Sequence, residues 1–302
     1  MINMSCGCKG IRSCYSCDPN LEKQTNIIEK CFVYSNSLKM AISKLWNEET
    51  QQYCLCGFKF PGVVLQENFI NEEDQSFLIS QFDNETWKQS QSGRSKQDFG
   101  PKVNFKKQKV NYKKFSGLPM YSEKIVQMMQ CIKALSDFKP VEMCNLDYNS
   151  SKGAGIDPHF DDSWLWGERL VTVNMLTNTW YTMSIPKNKS CSEIFESIKF
   201  LESNQIEMLE KDIAQHLICI RDKEKNIDRI VVRIPLLSGS LIVLKGEARH
   251  KWMHEIRRQD ITDRRVCSTF RELSSDFING QYKELGSTLL KIASSYCGTV
   301  VL

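Results

Sequence analysis

Apolar and polar positions divide the chain into segments of different period. After the turn Phe60-Pro61-Gly62, the run Val63-Val64-Leu65-Gln66-Glu67-Asn68-Phe69 reads as a strand. Asn71 stands at a helix N-cap, followed by Glu72, Glu73 and Asp74, whose charges suit the positive end of a helix. Phe77, Leu78 and Phe82 continue it at helical spacing. A second helix is expected from Ser122, with Ile125, Val126, Met128, Met129, Ile132 and Leu135 on its apolar side and Pro140 as its stop. Residues 34–50 read as a short helix or a variable loop, and 180–228 show no clear period. Val141 to Tyr148 is an expected strand. The turn Gly153-Ala154-Gly155 leads to another at His159-Phe160-Asp161, and Arg169 to Leu176 alternates as a half-buried third. Further strands are expected over 229–234, 240–244, 251–256 and 265–271, divided by Pro235, Ser238-Gly239 and Gly246. Leu285, Leu289, Ile292 and Tyr296 mark a closing helix. The sum is a mainly β fold with flanking helices (α+β), its core a sandwich or jelly roll.

Composition changes this picture in four ways. The 302 residues are 41% hydrophobic and 25% charged, ordinary for a soluble globular protein of one large domain or two small ones. No apolar run is long enough to span a membrane, and Met1-Ile2-Asn3-Met4-Ser5 lacks an export pattern, so the expected compartment is cytosol or nucleus. A net charge of +4, from 40 basic and 36 acidic residues, is too balanced to imply polyanion binding by bulk charge. Thirteen cysteines in such a chain read as metal ligands and buried thiols, not as a disulfide framework.

Candidate chemistry lies in two places. On a strand, residues i and i+2 point to one side, so His159 and Asp161 can aim an imidazole and a carboxylate at one point. That is two-thirds of the two-His-one-carboxylate set of non-haem Fe(II) oxygenases. Of the remaining histidines, His216, His250 and His254, the last can lie opposite this pair in a jelly roll, while His216 sits in an apolar run and reads as a core or edge residue. Arg265 and Arg271 are an even number apart and can both face the interior. Buried arginines need anions, and a dicarboxylate co-substrate would supply them. Near the N-terminus, Cys6, Cys8, Cys14 and Cys17 form Cys-x-Cys and Cys-x-x-Cys pairs suited to a structural Zn(II) knuckle. A redox-active or disordered Cys-rich tail is the plainer reading, and a zinc site borrowing Cys31 is an open variant; Cys54-x-Cys56 reads as incidental. Over 88–116 lysines interleave with Phe99, Phe105, Tyr112 and Phe115, the pattern of a substrate lid or of a solvated hairpin.

The runs Ser240 to Ile256 and Arg265 to Arg271, with Tyr148…His159-x-Asp161, resemble the signature of the AlkB family of Fe(II)/2-oxoglutarate dioxygenases. The text around Trp87 to Arg94 and the Cys-rich start resemble that family's fourth animal branch. The resemblance implies a double-stranded β-helix core over 59–302, a lid at about 88–116, and a Cys-rich segment over 1–58. It implies His159, Asp161 and His254 as iron ligands, with His250 the rival to His254. Arg265 would pair with the distal carboxylate of 2-oxoglutarate, and Arg271 and Tyr148 would complete that pocket, with Asn145 as a further contact. O2 is the other co-substrate. Three positions depart from the family pattern. Leu146 stands where an Asn is usual, with Asn145 one residue earlier; Cys267 replaces an Asn between the arginines; Ser163 replaces the acid that touches methylated bases in the DNA-repair members. The implied activity is oxidative N-demethylation, of methyl-lysine in protein (actin or actomyosin by resemblance) or of N6-methyladenine in DNA. A non-catalytic cytoskeletal or chromatin adaptor is the remaining class.

Overall fold

The computed structural model of the chain describes residues 6–8, 12–18, 28–185, 192–221 and 228–301. β1 (Glu29–Ser35), β2 (Met40–Asn47) and β3 (Gln52–Lys59) form a meander, and β4 (Val63–Gln66) leads to helix α1 (Glu72–Asp83). β5 (Lys88–Gln89), β6 (Ser95–Phe99), β7 (Lys102–Asn104) and β8 (Lys109–Asn111) precede helix α2 (Ser122–Gln130). Next come β9 (Pro140–Tyr148), β10 (Ile156–His159), β11 (Trp166–Met175) and β12 (Thr179–Ser184). Short helices with β13 (Lys199–Phe200) and β14 (Cys219–Ile220) follow. β15 (Arg229–Leu236), β16 (Leu241–Leu244), β17 (Met253–Ile256), β18 (Arg265–Leu273) and the helix Lys283–Ala293 finish the chain.

One sheet has the order β10-β17-β12-β15-β1-β2-β3-β13, with β14 added on β2. The other runs β4-β16-β11-β18-β9-β6-β5. Strand alternation sorts their side chains into two cores. Phe32, Tyr34, Tyr181, Met183, Val232 and Ile234 of the first sheet meet Leu146, Tyr148, Leu170, Ile242, Leu244 and Cys267 of the second. On the far face of the second sheet, Val141, Met143, Val171, Val243 and Phe270 are covered by Phe82 of α1, Met129 of α2 and Leu289 of the last helix. The molecule is thus mostly β with helices outside, and its two sheets face each other as the expected jelly roll requires. At α1 the side chain of Asn71 accepts a hydrogen bond from the Asp74 amide at 2.8 Å, as its sequence position implied.

Several expectations are corrected. Residues 34–50 are the β1–β2 hairpin, not a helix or loop, and Thr179–Ser184 is a strand inside the irregular stretch. Both β2 and β12 have neighbours on each side and buried residues on both faces, so neither shows clean alternation. The division at residue 58 fails because β1 pairs in parallel with β15, from Glu29↔Arg229 to Val33↔Arg233. The meander is therefore part of the main sheet. The lid at 88–116 shrinks likewise: β6 pairs with β9 from Ser95↔Asp147 to Phe99↔Met143, because Ser95, Gln97 and Phe99 are buried in alternation. Only Lys102–Asn111 stands apart, as the two-stranded β7–β8 hairpin.

Candidate active site

β10 and β17 run antiparallel, and their register sets His159 directly opposite His254. The two imidazole centroids are 4.2 Å apart. Asp161 lies just past the end of β10, with its Oδ1 3.8 Å from His159 Nε2. One donor atom from each of the three residues lies within 4.8 Å of the others. The neighbours fix how each donor points. His159 Nδ1 is 2.8 Å from the Asp157 carbonyl, which can only accept, so Nδ1 carries the proton and Nε2 keeps its lone pair. Arg271 Nε donates to Asp161 Oδ2 at 2.8 Å, which leaves Oδ1 facing the histidines. Arg249 is buried and donates to the carbonyls of Asp161 and Asp162, both at 2.9 Å. Asp162 itself turns away and accepts the amides of Trp164 and Leu165. The Tyr181 ring stacks on His254 at 5.7 Å.

Charge in the site suits a cation. Burial, with His159 beside it, pushes His254 down to about 3, so it is neutral and able to ligate at physiological pH. Burial lowers His159 as well. Burial pushes Asp161 up, but Arg271 and the two imidazoles outweigh it and hold the carboxyl well below its usual range.

A narrow cavity opens beside these donors, lined among others by Tyr148, Thr172, Arg265, Cys267 and Arg271. Arg265 is 1% exposed. Its Nε donates to Asn174 Oδ1 at 2.6 Å, and its guanidinium carbon sits 4.7 Å from the Tyr148 ring centroid. Its Nη1 is buried without a hydrogen-bond partner. None of the described acids makes an ion pair with it, so a carboxylate from outside the chain would satisfy it. The cavity thus has a metal-donor cluster and an under-satisfied arginine on its walls. A divalent cation and a dicarboxylate fit these two features.

The fold brings most of the residues singled out in the sequence to one place. His159, Asp161, His254, Tyr148, Arg265 and Arg271 all line the cavity. Arg271 also does something unforeseen: it bridges Asp161 and Glu142, so it orients an iron-ligand candidate as well as facing the pocket. Asn145 is a correction. Leu146 and Tyr148 of β9 face the cavity, so Asn145, one residue before Leu146, faces the helices. There it bonds Gln97, Tyr121 and Ser268, fully buried on the wrong side of the sheet. His250 is exposed and bonds Glu168 at 3.0 Å, outside the cluster. His216 lies against the edge of Trp180, exposed and away from the cavity. Asn174, Glu142, Arg249 and Tyr181 were missed. Only Asn174 had a sequence signal, as an alternate position of the expected strand Arg169 to Leu176. Cys6, Cys8, Cys14 and Cys17 come together, their sulfurs within 4.8 Å of one another; neither Cys31 nor the Cys54–Cys56 pair joins them.

A two-histidine, one-carboxylate cluster beside a buried arginine awaiting an acid defines the site of a 2-oxoglutarate-dependent oxygenase. Comparison with known proteins leads to the same class. No family model matches the chain. It is 41% identical over 302 residues to a mouse protein named alpha-ketoglutarate-dependent dioxygenase alkB homolog 4, covering 98% of this chain and 96% of that one. The human protein of the same name is 41% identical over 308 residues, with coverage of 98% and 95%. A Caenorhabditis elegans protein named DNA N6-methyl adenine demethylase is 30% identical over 315 residues, with coverage of 96% and 94%. The chain belongs to the AlkB family of Fe(II)/2-oxoglutarate-dependent dioxygenases.

Proposed function

We propose that the protein is an oxidative N-demethylase whose substrate is a methylated lysine side chain of a cytosolic or nuclear protein. The reading rests on one observation: the His159, Asp161 and His254 donors share a cavity with Arg265, whose Nη1 lacks a partner. His159, Asp161 and His254 would hold Fe(II), and Arg265 with Tyr148 would hold the distal carboxylate of 2-oxoglutarate. With O2, Fe(II) and 2-oxoglutarate held there would supply the oxidant for hydroxylation of an N-methyl carbon, which would give formaldehyde and the demethylated amine, with succinate and CO2 as co-products. The protein's share is positional. The Asp157 carbonyl keeps the proton of His159 on Nδ1, away from the metal side. Arg271 keeps one Asp161 oxygen occupied so that the other points inward. Arg249 holds the backbone of the same loop. Burial by Tyr181 and Leu170 excludes water from the reacting groups.

The choice of a protein substrate follows from what the mouth of the site lacks. Ser163 occupies the place of the base-contacting acid and is exposed. Resemblance to the fourth animal branch points further, to actin. A DNA substrate is the second reading, favoured by the β7–β8 hairpin and the segment after it. Lys106, Lys107, Lys109, Lys113 and Lys114 are exposed there beside Phe105 and Tyr112, and the pattern of cations among aromatics suits a nucleic-acid strand. Formaldehyde release from Fe(II)-loaded protein separates the two. Release from methyl-lysine peptides and not from N6-methyladenine oligonucleotides supports the first reading, and the reverse result replaces it with the second. Release by His254→Ala equal to that of the wild type would overturn both.

A further inference from the structure

The N-terminal Cys-rich segment lies against β10, the strand that carries His159, a position the iron site by itself does not explain. Cys14 and Cys17 sulfurs are 3.8 Å apart. Zn–S bonds of about 2.3 Å at tetrahedral angles put sulfurs about 3.8 Å apart, whereas a disulfide would bring them to about 2.05 Å. All four thiols are free and Cys8 and Cys14 are each 1% exposed. The amides of Cys17 and Asp18 turn back on the Cys14 carbonyl, wrapping the chain around the sulfurs.

From this segment contacts reach the turn before β6, the turn before β10 and β10 itself. Gly7 lies so close to the Ser90 carbonyl that a Cβ would sit 2.5 Å from its oxygen. The Tyr15 ring covers Gly153, which has φ +58° and where a Cβ would be 2.7 Å from the ring; any other residue there would displace the tyrosine. Arg258 donates to the Ser13 carbonyl at 3.0 Å and to Asp157 Oδ1 at 3.2 Å, while Arg12 lies 4.0 Å from the other Asp157 oxygen. Asp157 is the residue whose carbonyl orients His159. A continuous path therefore runs from the sulfurs through Ser13, Arg258 and Asp157 to a metal donor.

We infer that Cys6, Cys8, Cys14 and Cys17 bind one structural Zn(II), and that the zinc knuckle is the brace that positions His159, so that loss of zinc weakens divalent-metal binding at the iron site. The second half rests on the iron-site reading above. A segment this short has too little core to hold its shape alone, and thiolate ligation supplies the missing free energy. Outer supports of a metal ligand are typically worth about 10- to 100-fold in metal affinity.

The test uses the full chain and two readouts, neither of them turnover. Zinc content is measured by mass spectrometry on His254→Ala protein, where the iron site has lost one of its three donors. Mn(II), a redox-silent stand-in for Fe(II), is titrated by electron paramagnetic resonance into wild type, His254→Ala, Cys17→Ser and Arg258→Met. One zinc per chain is expected in His254→Ala, and none once Cys17→Ser is added. The Mn(II) dissociation constant is expected to rise about tenfold in Cys17→Ser. It should also rise in Arg258→Met, which keeps its zinc and so remains informative if the cysteine variant fails to fold. Zinc-free His254→Ala protein, or a bound iron–sulfur chromophore, would overturn the zinc assignment. Unchanged Mn(II) affinity in Arg258→Met would overturn the brace. Identical Mn(II) traces for wild type and His254→Ala would sink the iron-site reading and the brace with it, leaving the zinc result to stand separately.

Discussion

Replacing Arg265 by Met keeps most of the side-chain volume and removes the guanidinium. The structure sets the size of the effect. Nε is already engaged by Asn174, and Nη1 is the donor left without a partner. A single charge-assisted hydrogen bond in a buried site contributes about 1.5–3 kcal/mol. Taking the upper part of that range because Arg265 is 1% exposed, the loss for 2-oxoglutarate is about 100-fold in Kd, at about 1.4 kcal/mol per tenfold. Anaerobic titration of Mn(II)-loaded protein measures it. 2-Oxobutyrate keeps the keto-acid end and lacks the distal carboxylate, so it should bind wild type and variant alike. Without co-substrate, Arg265→Met should change stability to denaturant only modestly, because loss of the Asn174 hydrogen bond is offset by removal of a buried guanidinium with no acid partner. Equal 2-oxoglutarate affinity in the two proteins, or an equal loss for 2-oxobutyrate, would refute the assignment of Arg265.

Three further outcomes follow. Arg271→Ala frees Asp161 to rotate and leaves the half-buried Glu142 without its cation, so Mn(II) affinity should fall about 10- to 100-fold by titration, while Arg271→Lys should recover part of it. Glu29 on β1 is paired with Arg229 and Arg257; burial pushes its carboxyl up, but the two arginines outweigh this and hold it below its ordinary 4.5. Its contribution is therefore full above pH 4.5 and is lost as pH falls through the lower folded value, so wild type and Glu29→Gln should converge in urea midpoint on acidification; a gap that widens would contradict this. Lys106→Gln with Lys107→Gln should leave methyl-lysine peptide turnover within about twofold, since both charges are solvent-exposed and screened by salt. On the DNA reading the same pair should instead flatten the salt dependence of binding by about 0.9 in log–log slope for each phosphate that is no longer neutralised.

The parts legible in the sequence were those in which chemistry and strand period are local. His159-x-Asp161 needs only two residues of one strand and its end, and Arg265 and Arg271 need only an even separation on β18. What stayed hidden depends on pairings across the chain. The β1–β15 pair joins residues two hundred positions apart, and no local pattern announces it. Asn174, Glu142 and Arg249 act by reaching Arg265, Arg271 and the Asp161 carbonyl, and each of these bonds exists only once two elements have docked. The four cysteines were readable as a ligand set; their seat on Gly153 and Asp157 was not.

Asn145 shows where the reasoning could have gone further without coordinates. A shift of one residue on a strand moves a side chain through the sheet to its other face. With Tyr148 taken as a pocket residue, Leu146 and Cys144 share its side and Asn145 cannot, whatever chemistry an amide would bring. The same counting, started from Arg265 on β18, sends Cys267, Thr269 and Arg271 inward and Ser268 outward, where Ser268 meets Asn145 at 2.7 Å. Two polar residues, each expelled from the cavity by parity, thus satisfy one another beneath the helices, and the co-substrate pocket is left with Leu146 and Cys267 where the family pattern has amides. In this chain the arginine must therefore be positioned by Asn174, from the opposing strand at Asn174↔Cys267, so Asn174→Ala should weaken 2-oxoglutarate binding although no motif marks it.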